Sequence, residues 1–99
     1  MPLSKSQLKF LRSKCHALNP VIMVGQKGLT PQLLKELDIA LDQHELVKIK
    51  IAAEDRESTL GMMDEICARE GTERVQHIGK TLTVFRRNQL KAVIQFPKA

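Results

Sequence analysis

The residues best suited to chemistry are Gly25-Gln26-Lys27-Gly28, two glycines bracketing a lysine, followed at once by Leu29-Thr30-Pro31. Thr and Pro in succession are favoured at the N-cap and first turn of a helix, so this loop opens onto a helix N-terminus. There the first backbone N–H groups lack partners within the helix and the aligned peptide dipoles present partial positive charge, which attracts an anionic oxygen. Lys27 adds a full charge at the tip. Glycine at both edges lets the chain approach a phosphodiester backbone closely, where a Cβ would stand in the way. A turn that merely needs φ > 0 has the same pattern, so the context decides between the two.

That context is cationic. Lys5, Lys9, Arg12 and His16 recur three or four residues apart and form a basic stripe on one face of a helix. Lys48 and Lys50 alternate with Val47, Ile49 and Ile51, which places both lysines on the outer side of a strand. The candidate backbone-binding set is therefore Gly25, Gln26, Lys27, Gly28, Lys5, Lys9, Arg12, Lys48 and Lys50. An active site would have to be drawn from Glu54, Asp55, Arg56, Glu57, His16, His44 and His77. Those carboxylates open a helix, where acids complement the dipole, and the histidines are scattered with no HExxH, Gly-x-Ser-x-Gly or Walker pattern. Cys15 and Cys67 stand alone in separate predicted helices, and with His16 and His77 they match no common zinc spacing. This reading assigns no enzyme activity, metal, cofactor, disulfide or small-molecule substrate.

The elements that must position the loop follow from patterning. Ser4 caps a first helix over about 5 to 15, with Gln7 placed to complete a capping box and Leu3 to staple onto Leu8. Leu8, Leu11, Cys15 and Leu18 are its buried stripe, and Asn19-Pro20 ends it. A strand spans 21–24, a second helix about 31–43 with Leu33, Leu34, Leu37, Ala40 and Leu41 inward, and a second strand 46–51. Asp55 caps a third helix that Gly71 stops. Two strands, 74–78 and 81–87, are joined through Gly79-Lys80, a Gly-first pair suited to a type II′ turn. Thr81, Thr83, Phe85 and Arg87 then line the face of Lys48 and Lys50. Residues from about 88 to 99 form a tail in which Val93, Ile94 and Phe96 can dock. The expected fold is an α-β-α-β-α-β-β two-layer sandwich, with a four-stranded mixed sheet and helices mainly on one face.

With 99 residues, 42% of them hydrophobic and 27% charged, the chain fits a single domain, 1–99, with one modest core. Sixteen Lys and Arg against eleven Asp and Glu give a net charge of +5, which favours a polyanionic partner such as nucleic acid. No apolar run reaches the roughly 18 residues of a membrane span and the N-terminus lacks a secretory core, so a cytoplasmic monomer is expected. There is no Trp or Tyr and only Phe10, Phe85 and Phe96. Base stacking is thus scarce, and contacts to phosphate and 2′-hydroxyl oxygens with low sequence preference are favoured.

Five segments carry a family resemblance: Leu18-Asn19-Pro20-Val21, Val24 to Thr30, His44 to Lys50, Glu54-Asp55-Arg56-Glu57 and Gln76 to Arg86. Together they resemble the CRM domain family, small RNA-binding proteins typified by YhbY, over nearly the whole chain. The resemblance implies a fold like the C-terminal domain of translation initiation factor 3. It also implies RNA contact through a Gly-x-x-Gly loop comparable with that of KH domains, here Gly25, Gln26, Lys27 and Gly28. For stand-alone bacterial members it implies association with ribosomal RNA in precursors of the large ribosomal subunit. The alternative is a basic module that docks on acidic ribosomal or assembly proteins.

Overall fold

The computed structural model describes residues 3–25, 27–69, 71–88 and 90–96. Its elements follow the predicted succession: α1 (Lys5–Cys15), β1 (Ile22–Val24), α2 (Pro31–His44), β2 (Leu46–Ile51), α3 (Arg56–Cys67), β3 (Glu73–Ile78) and β4 (Thr81–Phe85). Each helix starts where its cap says it should. Ser4 accepts from the Gln7 N–H while the Gln7 side chain accepts from the Ser4 N–H, a complete capping box. Thr30 accepts from the Leu33 N–H, with Pro31 at the first helical position, and Asp55 accepts from the Ser58 N–H. At the β3–β4 turn Gly79 has φ +57° while Lys80 stays at negative φ, as a type II′ turn requires.

The sheet order is β1-β2-β4-β3, with β1 parallel to β2 and the other pairs antiparallel. Lys48 lies opposite Thr83 and Lys50 opposite Thr81, so those side chains share a face as the alternation predicts. The helices depart from expectation. Val47, Ile49, Ile51, Leu82 and Val84 point to one face and pack with Leu37, Ala40 and Leu41 of α2 and Met63 and Ile66 of α3. Their strand neighbours Leu46 and Phe85 point to the other face, where they form a second cluster with Val75 and with Leu11 and Cys15 of α1. The expectation of one core with helices mainly on one face is therefore corrected: α1 covers part of the opposite face and completes a second core. The physical reason is the stripe Leu11-Cys15, which α1 must bury and which Leu46 and Phe85 receive. Where α1 stops, the same face stays open, with Val21, Met23 and Ile78 more than half exposed beside Lys50.

The second core is closed by residues 90–96. Ile94 and Phe96 pack on it, and the Phe96 ring lies 5.7 Å from both Phe10 and Phe85. What holds this segment is Glu45, fully buried at the end of α2. Its carboxylate accepts from the backbone N–H groups of Asn88 (2.7 Å), Val93 (2.7 Å) and Ile94 (2.6 Å), with the Arg87 guanidinium at 3.4 Å. Burial pushes the Glu45 pKa up, but the three N–H donors and Arg87 outweigh it, and the pKa lies below the ordinary value. Glu45 also has φ +61°, a left-handed backbone that a non-glycine residue adopts at a cost. Cys15 and Cys67 are free thiols. Among the described residues no helix is long and apolar enough to cross a membrane.

Candidate nucleic-acid interface

The glycine loop sits at one end of the sheet, where three connections converge. β1 runs into the loop, and the Gly28 N–H closes the turn on the Gly25 carbonyl at 3.0 Å. Gly28 has φ +72°, so it supplies the left-handed step that redirects the chain into α2. Gly25 has no such requirement, and a Cβ built on it would meet nothing within 4 Å. Conformation therefore explains one glycine and leaves the other unexplained by the fold. Alongside, the Ala52 N–H donates to the Val24 carbonyl and the Ile51 N–H to the Lys80 carbonyl, which brings the β2–α3 connection and the β3–β4 turn to the same end. Lys80 Nζ is fixed there on the Ala53 carbonyl at 2.9 Å. Lys27 and Lys50 are exposed at this end, and Gln26 lies outside the described residues.

The basic stripe of α1 lies elsewhere. Leu3 N–H is 3.4 Å from the Glu73 carboxylate, and Arg12 Nε donates to the Val75 carbonyl at 3.0 Å, so α1 is anchored at the start of β3. That is the end of the sheet away from Gly79, because Glu73 pairs with Phe85. Strand rise puts the two ends of β2 about 17 Å apart. Lys5, Lys9 and Arg12 are thus not brought together with the glycine loop. Arg12 is also part of the scaffold, since β3 bulges between Arg74 and Gln76 and the Arg12 guanidinium satisfies the carbonyl of the extra residue, Val75.

Lys48 stands between the two groups with its ammonium engaged. Nζ donates to the carbonyls of Cys15 (3.0 Å) and Leu18 (3.3 Å), at the C-terminus of α1, where a cation complements the dipole. This cross-link, over 30 or more residues of sequence, holds α1 on the sheet. Lys48→Met, which keeps the aliphatic stem, is expected to cost about 1–2 kcal/mol in denaturant unfolding through the lost charged hydrogen bonds. An unfolding midpoint equal to that of the unaltered protein would remove this structural role.

Among the described residues the ion pairs all use arginine. Asp38 joins Arg69 (2.8 Å) and Arg86 (3.0 Å), Asp42 adds to Arg86, Asp64 pairs with Arg74, and Glu45 with Arg87. These pairs use positive charge to tie α2 and Glu45 to Arg69 behind α3 and to Arg86 and Arg87 behind β4, and α3 to β3. The cations of the loop end, Lys27 and Lys50, take no part in these pairs. Their charge faces water.

The chain is similar to known proteins. Residues 3–86 match the model of the CRS1 / YhbY (CRM) domain. The chain belongs to the CRM domain family. This CRM domain is 42% identical over 88 residues to a probable RNA-binding protein of Pseudomonas aeruginosa, covering 89% of this chain and 85% of that protein. It is 41% identical over 96 residues to an RNA-binding protein of Haemophilus influenzae, covering 97% and 96%. A solution structure from Staphylococcus aureus shares the fold with TM-score 0.78 at 24% identity, over 97% of this chain and 100% of that one. The matched span takes in every helix and strand among the described residues, from α1 to β4.

One group near the loop escaped the sequence reading. Arg56, His77 and Lys80 line a common cleft, although 20 or more residues separate Arg56 from the other two. A signal was present: Arg56 is the first residue of α3, where a cation opposes the helix dipole.

Proposed function

We propose that this CRM domain binds RNA through the loop end of its sheet, with Lys27, the glycine turn and the N-terminus of α2 receiving the phosphate backbone. The observation that carries this reading is the exposed Lys27 set in a turn whose Gly25 no fold requirement explains. The family and the names of its relatives support RNA as the ligand. The loop acts as the Gly-x-x-Gly turn of KH domains does, on a scaffold like the C-terminal domain of translation initiation factor 3. The RNA is ribosomal, in precursors of the large subunit, and the protein acts there as a cytoplasmic monomeric binder in ribosome assembly rather than as an enzyme. Lys50 extends the contact along the open sheet face. Lys5, Lys9 and Arg12 form a separate, outlying contact on α1, and Lys48 contributes by holding that helix.

All three phenylalanines cluster with one another beneath α1 and the C-terminal segment, so none offers a stacking platform at the loop end. Recognition then rests on phosphate and ribose, and sequence preference is low. Lys27→Ala is expected to weaken binding alike for RNAs of different sequence and to lower the log-log salt slope by about 0.7 to 1, one phosphate contact. Lys35→Ala, an exposed lysine on α2, is the charge-matched control. Equal losses for the two variants would reduce binding to the diffuse attraction of a +5 protein. Failure to bind naked RNA at moderate salt would favour docking on an acidic protein instead.

A further inference from the structure

The cleft between the first two turns of α3 and the β3–β4 turn has a volume of about 440 Å³ and is lined by Arg56, Thr59, Leu60, His77, Gly79 and Lys80. Three observations mark it as more than a surface groove. Arg69, Arg74, Arg86 and Arg87 are ion-paired and Arg12 serves the bulge of β3, whereas Arg56 has no hydrogen-bond or ion-pair partner among the described residues. Arginine at the first position of α3 opposes the helix dipole, so the fold loses a little stability there and gains no contact in return. Its planar guanidinium is suited to gripping two oxygens of one phosphate. Second, Lys80 reaches the same cleft with one ammonium proton held by the Ala53 carbonyl and two left to donate. Third, His77 Nε2 lies 2.9 Å from the Gly79 carbonyl. A carbonyl only accepts, so Nε2 carries a proton, and Nδ1 is the ring nitrogen left to meet a ribose hydroxyl, which can donate or accept. Leu60 supplies an apolar wall.

We propose that this cleft is a nucleotide subsite, which holds the phosphate of one nucleotide on Arg56 and Lys80 and its nucleoside against Leu60 and His77. The source of that nucleotide is the bound RNA, so the inference rests on the proposed function for its ligand. The subsite is distinct from the glycine loop. Arg56, Thr59 and Leu60 face the β3–β4 turn at helical spacing, whereas Asp55, Ser58 and Met62, together with Glu54, face Gly25. The two groups of side chains line two different grooves, so the two cationic sites are separate footholds that one strand reaches in turn.

The test uses isotope-labelled full-length protein titrated with adenosine 5′-monophosphate and, in parallel, inorganic phosphate, followed by affinity for an unstructured RNA 20-mer. The nucleotide is expected to shift the amide signals of residues 56–60 and 77–80, and to bind more tightly than phosphate alone. Arg56→Ala is expected to weaken both nucleotide and RNA about tenfold, the scale of a lost charged hydrogen bond, and Arg56→Lys to restore only part. Arg56 is exposed and makes no contact that the fold needs, so the fold survives the change. Signal shifts that avoid the cleft, equal affinity for phosphate and nucleotide, or an Arg56→Ala variant that binds RNA as the unaltered protein does would each overturn the subsite. If the protein ignores RNA yet the mononucleotide fills the cleft, the proposed function falls and the subsite stands with a free nucleotide as its ligand.

Discussion

Glu45→Gln is expected to release residues 90–96 from the sheet and to cost about 2–4 kcal/mol of stability at neutral pH. The buried carboxylate accepts three backbone N–H groups at 2.6 to 2.7 Å. An amide presents an NH2 where one oxygen was, so at least one of those donors faces another donor. Each charged hydrogen bond is worth roughly 1.5–3 kcal/mol, but detachment lets the orphaned N–H groups reach water, which limits the total. What is then lost is the packing of Ile94 and Phe96 on Leu11, Leu46, Val75 and Phe85. The pH dependence follows from the lowered pKa. A carboxylate whose folded pKa lies below its unfolded value contributes fully above the unfolded value, about 4.5, and loses that contribution as pH falls through the folded one. Denaturant unfolding of both proteins should therefore show a gap at neutral pH that narrows in acid. A gap that stays constant would mean that the charge of Glu45 is not what holds the segment.

How much of this was legible in the sequence depended on whether the signal was local. Ser4 with Gln7, Thr30 with Pro31, and Asp55 each carry their capping partner within three residues, and those helix starts stand where the caps put them. The alternation in β2 fixed which side chains share a face, and Lys48 and Lys50 do lie with Thr83 and Thr81. The second core was not legible. Leu11 and Cys15 announce a helix face that must be buried, but their partners Leu46, Val75 and Phe85 come from three strands, and which face they present depends on strand order and on the bulge at Val75. The same limit governed the candidate site. The glycine turn is a local object, and the Gly28 N–H does close it on the Gly25 carbonyl. Lys48 read as a wet lysine, because the carbonyls that engage it belong to residues 33 and 30 positions earlier. Glu45 fell between the helix expected to about 43 and the strand expected from 46, with no local signal of its role, since its donors lie more than 40 residues downstream.

Gly28→Asp is expected to weaken RNA binding on the order of a hundredfold, about 3 kcal/mol, by placing a negative charge where the proposed phosphate approaches. Its effect on folding is smaller. Position 28 has φ +72°, and Asp tolerates that region better than most residues, at a strain of roughly 1 kcal/mol. Its Cβ meets the Met62 methyl carbon at 3.5 Å, ordinary van der Waals contact. Loss of affinity in a folded variant would thus report on charge. Gly25→Ala isolates the other proposed requirement, closeness of approach. Because Gly25 needs no positive φ and its added Cβ meets nothing, the variant should fold as well as the parent, or gain about 0.4–1 kcal/mol from a stiffer unfolded chain. Its affinity should still fall about tenfold, roughly 1.4 kcal/mol, if the backbone of the RNA lies against the bare glycine. Thermal melts separate folding from binding in both variants. If Gly25→Ala and Gly28→Asp bind RNA as Lys35→Ala does, the glycine turn is only the bend that leads β1 into α2, and the contact must be sought at Lys50, on α1 or in the Arg56 cleft.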